Sequence, residues 1–265
     1  MFDDEVALPG GNASGEDTVR VGATVRKPWS NSTESASRYM SWIRSAGVDV
    51  PDWRGRDNDG RQVLEFVSGD LAMNLGPLAD SMLRRVGAMV RQIHDASSSY
   101  EDSAATWDVL IPPPGPADLV CHNDLAPWNL IVGEGRLVFI DWDGAGPSTR
   151  LWDLAYAAQS FAVLDESQPV SHAARRLRAF VDGYAADADL RAALPDAMLQ
   201  RTQAMYELLH DAHTRGRQPW GTMFVEGHGD FWSSTAQYVA RNIDAWHDAL
   251  TDDGRPSRRA APRPG

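Results

Sequence analysis

Two stretches decide how this chain reads. They are His122-Asn123-Asp124-Leu125-Ala126-Pro127-Trp128-Asn129-Leu130 and, eleven residues on, Asp141-Trp142-Asp143-Gly144. Each follows a short apolar run, Leu119-Val120-Cys121 before the first and Leu137-Val138-Phe139-Ile140 before the second. Runs of this length and composition read as buried strands. Asp124 and Asn129 therefore share one loop, and Asp141 stands at the end of the next strand. Taken singly, Asp and Asn are ordinary turn residues. Three oxygen-bearing side chains at two neighbouring strand ends are a constellation.

Phosphoryl transfer from a nucleotide asks for such a set. A carboxylate must take the proton of the acceptor hydroxyl and orient it for in-line attack. Oxygen ligands must hold Mg²⁺ against the phosphates, because the reaction is mostly positioning and charge neutralisation. Asp124 fits the first role; Asn129 and Asp141 fit the second. A cation for the phosphates is available in Lys27, the single lysine among 25 Lys+Arg residues. A compact ammonium on a flexible stem differs physically from the guanidinium fork that the chain otherwise uses.

Outward from this centre, residues 1–67 read as short strands and one helix. Val6-Ala7-Leu8 leads into a turn cluster, Thr18–Val21 and Thr24–Lys27 flank Gly22 as a hairpin, and Pro28 stops the strand. A helix capped by Ser32 or Thr33 extends to Gly47. Asp57-Asn58-Asp59-Gly60 marks a second hairpin turn, with a strand over Gln62–Val67. Ser68-Gly69-Asp70 reads as a hinge, beyond which residues 68–253 are mainly helical. Helices are expected around Leu83–Ile93, Leu151–Ala162, Ala173–Tyr184, Asp196–His213 and Phe231–Leu250. Residues 254–265 are Pro, Ala and Arg without periodicity and read as a disordered tail.

Composition bounds the possibilities. The chain has 265 residues, 43% of them hydrophobic, and a formal net charge of −12. That excludes wholesale disorder and argues against a nucleic-acid partner, which calls for a basic footprint. No apolar run approaches the ~20 residues of a spanning helix, and Met1-Phe2-Asp3-Asp4-Glu5 is acidic where a signal peptide would be basic. The single cysteine, Cys121, cannot form an internal disulfide. A cytoplasmic protein that meets neither membrane nor nucleic acid is expected, as monomer or homodimer.

His-x-Asp-x-x-x-x-Asn followed by Ile140-Asp141-Trp142-Asp143 resembles the aminoglycoside phosphotransferase family, small-molecule kinases of the protein-kinase-like fold. Arg150-Leu151-Trp152-Asp153-Leu154-Ala155 is similar to the family's helix after the metal-binding strand. The resemblance implies an α+β fold with a small β-rich N-lobe and a larger helical C-lobe. It implies Asp124 as catalytic base, Asn129 and Asp141 as Mg²⁺ ligands, and Lys27 as the strand lysine on the phosphates of ATP or GTP. Backbone groups of Glu65 to Val67 would meet the adenine edge. His122 would pack under the loop, and Asp153 would either buttress the catalytic loop or favour its own helix N-terminus.

The sequence also departs from the pattern. Gly10, Gly11 and Gly15 do not form a clean phosphate-covering glycine loop, and Glu34, the single acid of the helix after Lys27, lies only seven residues beyond it. No activation-loop or Ala-Pro-Glu segment is present, which speaks against a protein substrate. The acceptor implied is a small hydroxyl compound. The acidic balance suits a cationic antibiotic such as an aminoglycoside, with Asp143, Glu207, Asp211 and Glu226 as candidate contacts. An amino alcohol, amino acid or sugar is the alternative. Two rival readings are a metal-dependent hydrolase using His122, Asp124, Asp141 and Asp143, and a nucleotide-binding module without catalysis.

Overall fold

β-Branched residues alternating around polar turns build the first layer. The computed structural model describes residues 5–8 and 18–251. Within them β1 (Glu5–Ala7), β2 (Val19–Val21) and β3 (Thr24–Lys27) precede helix α1 (Thr33–Ser45). β4 (Trp53–Arg56) and β5 (Gln62–Glu65) then form a hairpin. Asp57 holds its turn by accepting the N–H groups of Asp59 (3.0 Å) and Arg61 (2.8 Å). The sheet runs β1-β2-β3-β5-β4 and is antiparallel throughout. Its central register sets Lys27 opposite Gln62, and both side chains are buried. The glycines at 10, 11 and 15 and the tail 254–265 lie outside the described residues.

The remainder of the described residues is mainly helical, with two small sheets. In chain order these elements are β6 (Asp70–Leu71), α2 (Asp80–Ser97), β7 (Leu119–Cys121), β8 (Leu130–Val132), β9 (Leu137–Phe139) and β10 (Gly146–Ser148). Helices α3 (Arg150–Ala162), α4 (Val170–Tyr184), α5 (Ala188–Thr214), α6 (Trp220–Met223), α7 (Gly229–Arg241) and α8 (Ile243–Thr251) follow. β8 was not expected from the sequence. It pairs with β9 in register Leu130↔Phe139, and that hairpin brings Asn129, just before β8, beside the segment just after β9. Among the described residues no helix is long and apolar enough to cross a membrane.

Two helices differ from their expected limits for local reasons. α5 begins at Ala188 rather than near Asp196, because Asp187 caps it by accepting the Leu190 N–H (2.8 Å), and the helix then runs through Pro195. The long C-terminal helix is two, α7 and α8, separated at Asn242, whose side-chain amide donates to the Tyr238 carbonyl (2.9 Å).

The main core joins α2, α3, α4, α5 and α8 through Leu83, Val90, Phe161, Phe180, Leu194 and Trp246. Phe161 and Phe180 stack with centroids 5.7 Å apart. α1 belongs to the same core: Tyr39 meets Trp142 edge-on (5.9 Å) and donates its hydroxyl to the Val120 carbonyl (2.7 Å). Each such side chain contributes about 1.5–3 kcal/mol by burial, so α1 is tied to the helical part more firmly than a free hinge would allow.

α2 and α4 cross at bare backbone. A Cβ built on Gly87 would meet the Phe180 carbonyl oxygen at 2.1 Å, and one on Gly183 would meet that of Arg84 at 2.1 Å. Neither neighbour is a side chain that can swing away. Gly183→Ala must therefore separate the helices, and it is expected to cost about 3 kcal/mol, the upper range for overpacking. Differential scanning calorimetry reads this as a lowered Tm; an unchanged Tm would contradict the close crossing.

Candidate active site

Lys27 ends a central strand of the N-terminal sheet, and its ammonium lies 2.5 Å from Asp141 Oδ1 and 2.6 Å from Asp143 Oδ2. Gln62, its register partner, donates its side-chain amide to Asp143 Oδ1 (3.1 Å) and to the Pro28 carbonyl (3.1 Å). Burial alone would lower the Lys27 pKa, but the two carboxylates hold it above the ordinary lysine value. Burial raises and Lys27 lowers the pKa of Asp141, and the attraction prevails. Asp143, read from the sequence as a candidate acceptor contact, is thus a partner of Lys27 and Gln62. Glu34 stands apart from Lys27, exposed and paired with Arg38 at 3.2 Å.

The residues of the loop after β7 converge on the same place through the Ile140 backbone. Its N–H donates to the Asn129 carbonyl (2.9 Å), and its carbonyl accepts His122 Nε2–H (3.0 Å). His122 Nδ1 accepts the Asp124 N–H (3.2 Å), so both ring nitrogens of this fully buried histidine are engaged. Asn129 Nδ2 donates to Asp124 Oδ2 (2.7 Å) and to the Asp124 carbonyl (3.0 Å). That leaves Asn129 Oδ1 as the amide's remaining polar atom. Burial pushes the Asp124 carboxyl above its ordinary value, against the opposing pull of His122 and Asn129.

Both turns of the site use a left-handed backbone without glycine: Asn123 has φ 66° and Asp141 has φ 64°. Asn123 is clamped in place. Its N–H donates to Asp153 Oδ1 (2.8 Å), and its side-chain amide donates to the carbonyls of Gly144 (3.1 Å) and Gly146 (3.3 Å). Asp153 is buried, and its Oδ2 accepts His94 Nε2–H (2.9 Å). His94 Nδ1 accepts the Tyr184 hydroxyl (2.8 Å), which in turn accepts from Arg150 (2.9 Å). One chain of hydrogen bonds therefore runs from Arg150 on α3 to the peptide next to Asp124.

Other candidates lie elsewhere. The Glu65 carboxylate accepts from Arg136 (2.8 Å) and from the Asp52 N–H (3.1 Å). Burial would raise its pKa, but these donors hold it below the ordinary value. The Glu65 N–H donates to Asp52 O (2.8 Å) and the Phe66 N–H to Ala23 O (3.0 Å). Val67 is buried against Ile131 and Val138. Glu207 and Glu226 are exposed, and Asp211 pairs with Arg215 at 2.8 Å.

The sequence reading did not reach His94, Gln62, Tyr156 or Arg201. Tyr156 belongs to a second apolar cluster with Ala126, Leu209 and Trp232. His94, Tyr156 and Arg201 all occupy apolar-periodic helix positions, where the pattern predicts core.

Residues 98–193 match the sequence profile of the phosphotransferase enzyme family. The trifolitoxin immunity protein of Rhizobium leguminosarum bv. trifolii is 29% identical over 214 residues, spanning 75% of this chain and 80% of that protein. Among solved structures, a microcompartment-associated aminopropanol kinase superposes with a TM-score of 0.65 at 15% identity, covering 94% of each chain. The amicoumacin kinase hAmiN, in complex with AMP-PNP, Ca²⁺ and Ami, superposes with a TM-score of 0.64 at 13% identity, over 91% of this chain and 88% of that one. The fold is the protein-kinase-like fold of small-molecule kinases, sheet-rich at its N-terminal end and helical beyond.

Asp153→Ala strips an acceptor from two buried donors, the Asn123 N–H and His94 Nε2–H. It is expected to cost about 2–5 kcal/mol, at about 1–3 kcal/mol for each buried donor left unsatisfied. Urea unfolding measures this, and a loss under 1 kcal/mol would show that the clamp is dispensable.

Proposed function

We propose that this protein is a small-molecule kinase, moving the γ-phosphoryl group of ATP or GTP onto a hydroxyl of a small organic acceptor. The observation that carries this reading is the convergence of Lys27, Asp141 and Asp143 with the Asp124–Asn129 pair, across 114 residues of chain between Lys27 and Asp141. Asp124 is assigned as the base. Its raised proton affinity suits a group that must take the acceptor's proton as the new bond forms. In that step the acceptor oxygen bonds to the γ-phosphorus, and the bridging P–O bond breaks with its electron pair going to the nucleoside diphosphate. The hydroxyl proton goes to Asp124.

The donor set fits Mg²⁺, a hard cation that prefers oxygen ligands. Asp141 and the Asn129 amide oxygen would hold it, and it would neutralise charge on the phosphates. Lys27, freed from part of its ion triad, would reach the same phosphates. The backbone around Glu65 to Val67 is assigned to the base edge of the nucleotide, with residues 1–67 as the nucleotide lobe and 68–253 as the catalytic and acceptor lobe. A hydrolase built on His122 as metal ligand is disfavoured, because both nitrogens of that ring already hold hydrogen bonds.

For the acceptor we favour an antibiotic, with cationic compounds such as aminoglycosides first. A relative named for immunity to trifolitoxin and a fold neighbour named as an amicoumacin kinase support a protective role. The aminopropanol kinase neighbour supports a second class, amino alcohols, and exposed Glu207 and Glu226 give no built site for a polycation.

Asp124→Ala is expected to abolish nucleotide consumption across an acceptor panel of aminoglycosides, amino alcohols, amino acids and sugars, while Mg-ATP still raises its Tm. Retained turnover would refute the assignment of the base. Asn129→Ala and Asp141→Ala should each weaken Mg²⁺-dependent nucleotide binding by at least about 10-fold in calorimetric titration, the effect of losing a charged or bidentate contact of about 1.4 kcal/mol. Unmoved isotherms would remove both residues from the metal site.

A further inference from the structure

α5 places a guanidinium where its helical periodicity calls for an apolar residue. Arg201 follows Met198 and precedes Thr202, all three buried. Among the described residues no carboxylate lies within salt-bridge distance of it, its Nη1 is buried without a hydrogen-bond partner, and only 3% of the residue is exposed. Burying a cation without a paired anion is costly, and a methionine of similar volume would serve packing better.

Its contacts point instead to Asp124. Arg201 Nη2 donates to the Asn123 carbonyl (3.3 Å), the peptide that leads into Asp124. Asp153 grips the N–H of the same residue, so Asn123 is held from both ends. The guanidinium also lies 4.2 Å from the Tyr156 ring centroid, and burial together with the nearby Asp124 charge pushes the Tyr156 hydroxyl pKa up. Arg201 therefore touches both the peptide that leads into Asp124 and the ring of Tyr156.

We propose that Arg201 is a positioning residue for phosphoryl transfer, holding the Asn123–Asp124 peptide and the Tyr156 ring so that the Asp124 carboxylate faces the acceptor hydroxyl. This inference rests on Asp124 being the base. Its effect falls on kcat, because neither Lys27, Asn129 nor Asp141 contacts Arg201, and nucleotide binding is left alone. Arg201→Lys keeps the charge but loses the planar fork that spans a carbonyl and a ring together.

The test measures kcat and KM for Mg-ATP in wild type, Arg201→Met, Arg201→Lys and Asp124→Asn. The acceptor is the compound found by the panel above, or water followed by phosphate release. Arg201→Met is expected to lose about 100-fold in kcat, the cost of a misplaced catalytic group, with KM for ATP within about two-fold of wild type. Arg201→Lys should lose about 10-fold, with KM again unmoved. Should the methionine variant fail to fold, the lysine variant decides: wild-type kcat overturns the proposal, and lowered kcat at constant KM supports it. A KM that rises as kcat falls also overturns it, since that marks general disruption. If Asp124→Asn is inactive while the Arg201 variants match wild type, this inference alone fails. If Asp124→Asn turns over normally, or wild type turns over nothing, the kinase reading fails with it.

Discussion

A buried ammonium between two carboxylates organises this molecule. Lys27 comes from the N-terminal sheet, while Asp141 and Asp143 come from the turn after β9, and the buried ammonium cannot leave its charge unpaired. Removing a buried charge from water costs several kcal/mol, and only close opposite charge with good hydrogen bonding offsets it. The site is thus assembled by electrostatic necessity as much as by packing. Tyr39 and Trp142 supply the packing part, seating α1 against the same turn.

Around that triad, two backbone peptides do much of the placing. Ile140 links His122 with Asn129, and Asn123 is gripped through its N–H, its side-chain amide and its carbonyl. The left-handed conformations at Asn123 and Asp141 are held by these contacts rather than by glycine. Such over-determined turns are where a fold stores the geometry that chemistry needs. The chain of donors from Arg150 through Tyr184 and His94 to Asp153 extends the support into the helical core.

Much of this was legible in the amino-acid order. Asp124, Asn129 and Asp141 announced themselves because polar residues directly after apolar strands are few and their spacing is informative. Lys27 stood out as the only lysine. The β8 strand and the true start of α5 were hidden, the first because it follows Asn129 with no turn signal and reads on as loop, the second by Pro195, which reads as a boundary although the Asp187 cap lies eight residues earlier. Support residues such as His94, Tyr156 and Arg201 were invisible for a different reason. Periodicity reports which face is buried, and it cannot tell a buried polar side chain that completes a network from one that merely packs. The hydrogen-bond partners of His94 and Arg201 lie 59 to 90 residues away in the chain, beyond any local pattern.

The pairing of Lys27 with Gln62 across β3 and β5 carries one more consequence. Side chains alternate faces along a strand, so a slip of one residue between these strands would turn one of the two outward. Asp143 receives both of them, the ammonium and the amide, and so accepts only one alignment of the ladder. The N-terminal sheet is therefore proofread by a carboxylate belonging to the other end of the fold, and a misaligned sheet would announce itself as an incomplete ion cage.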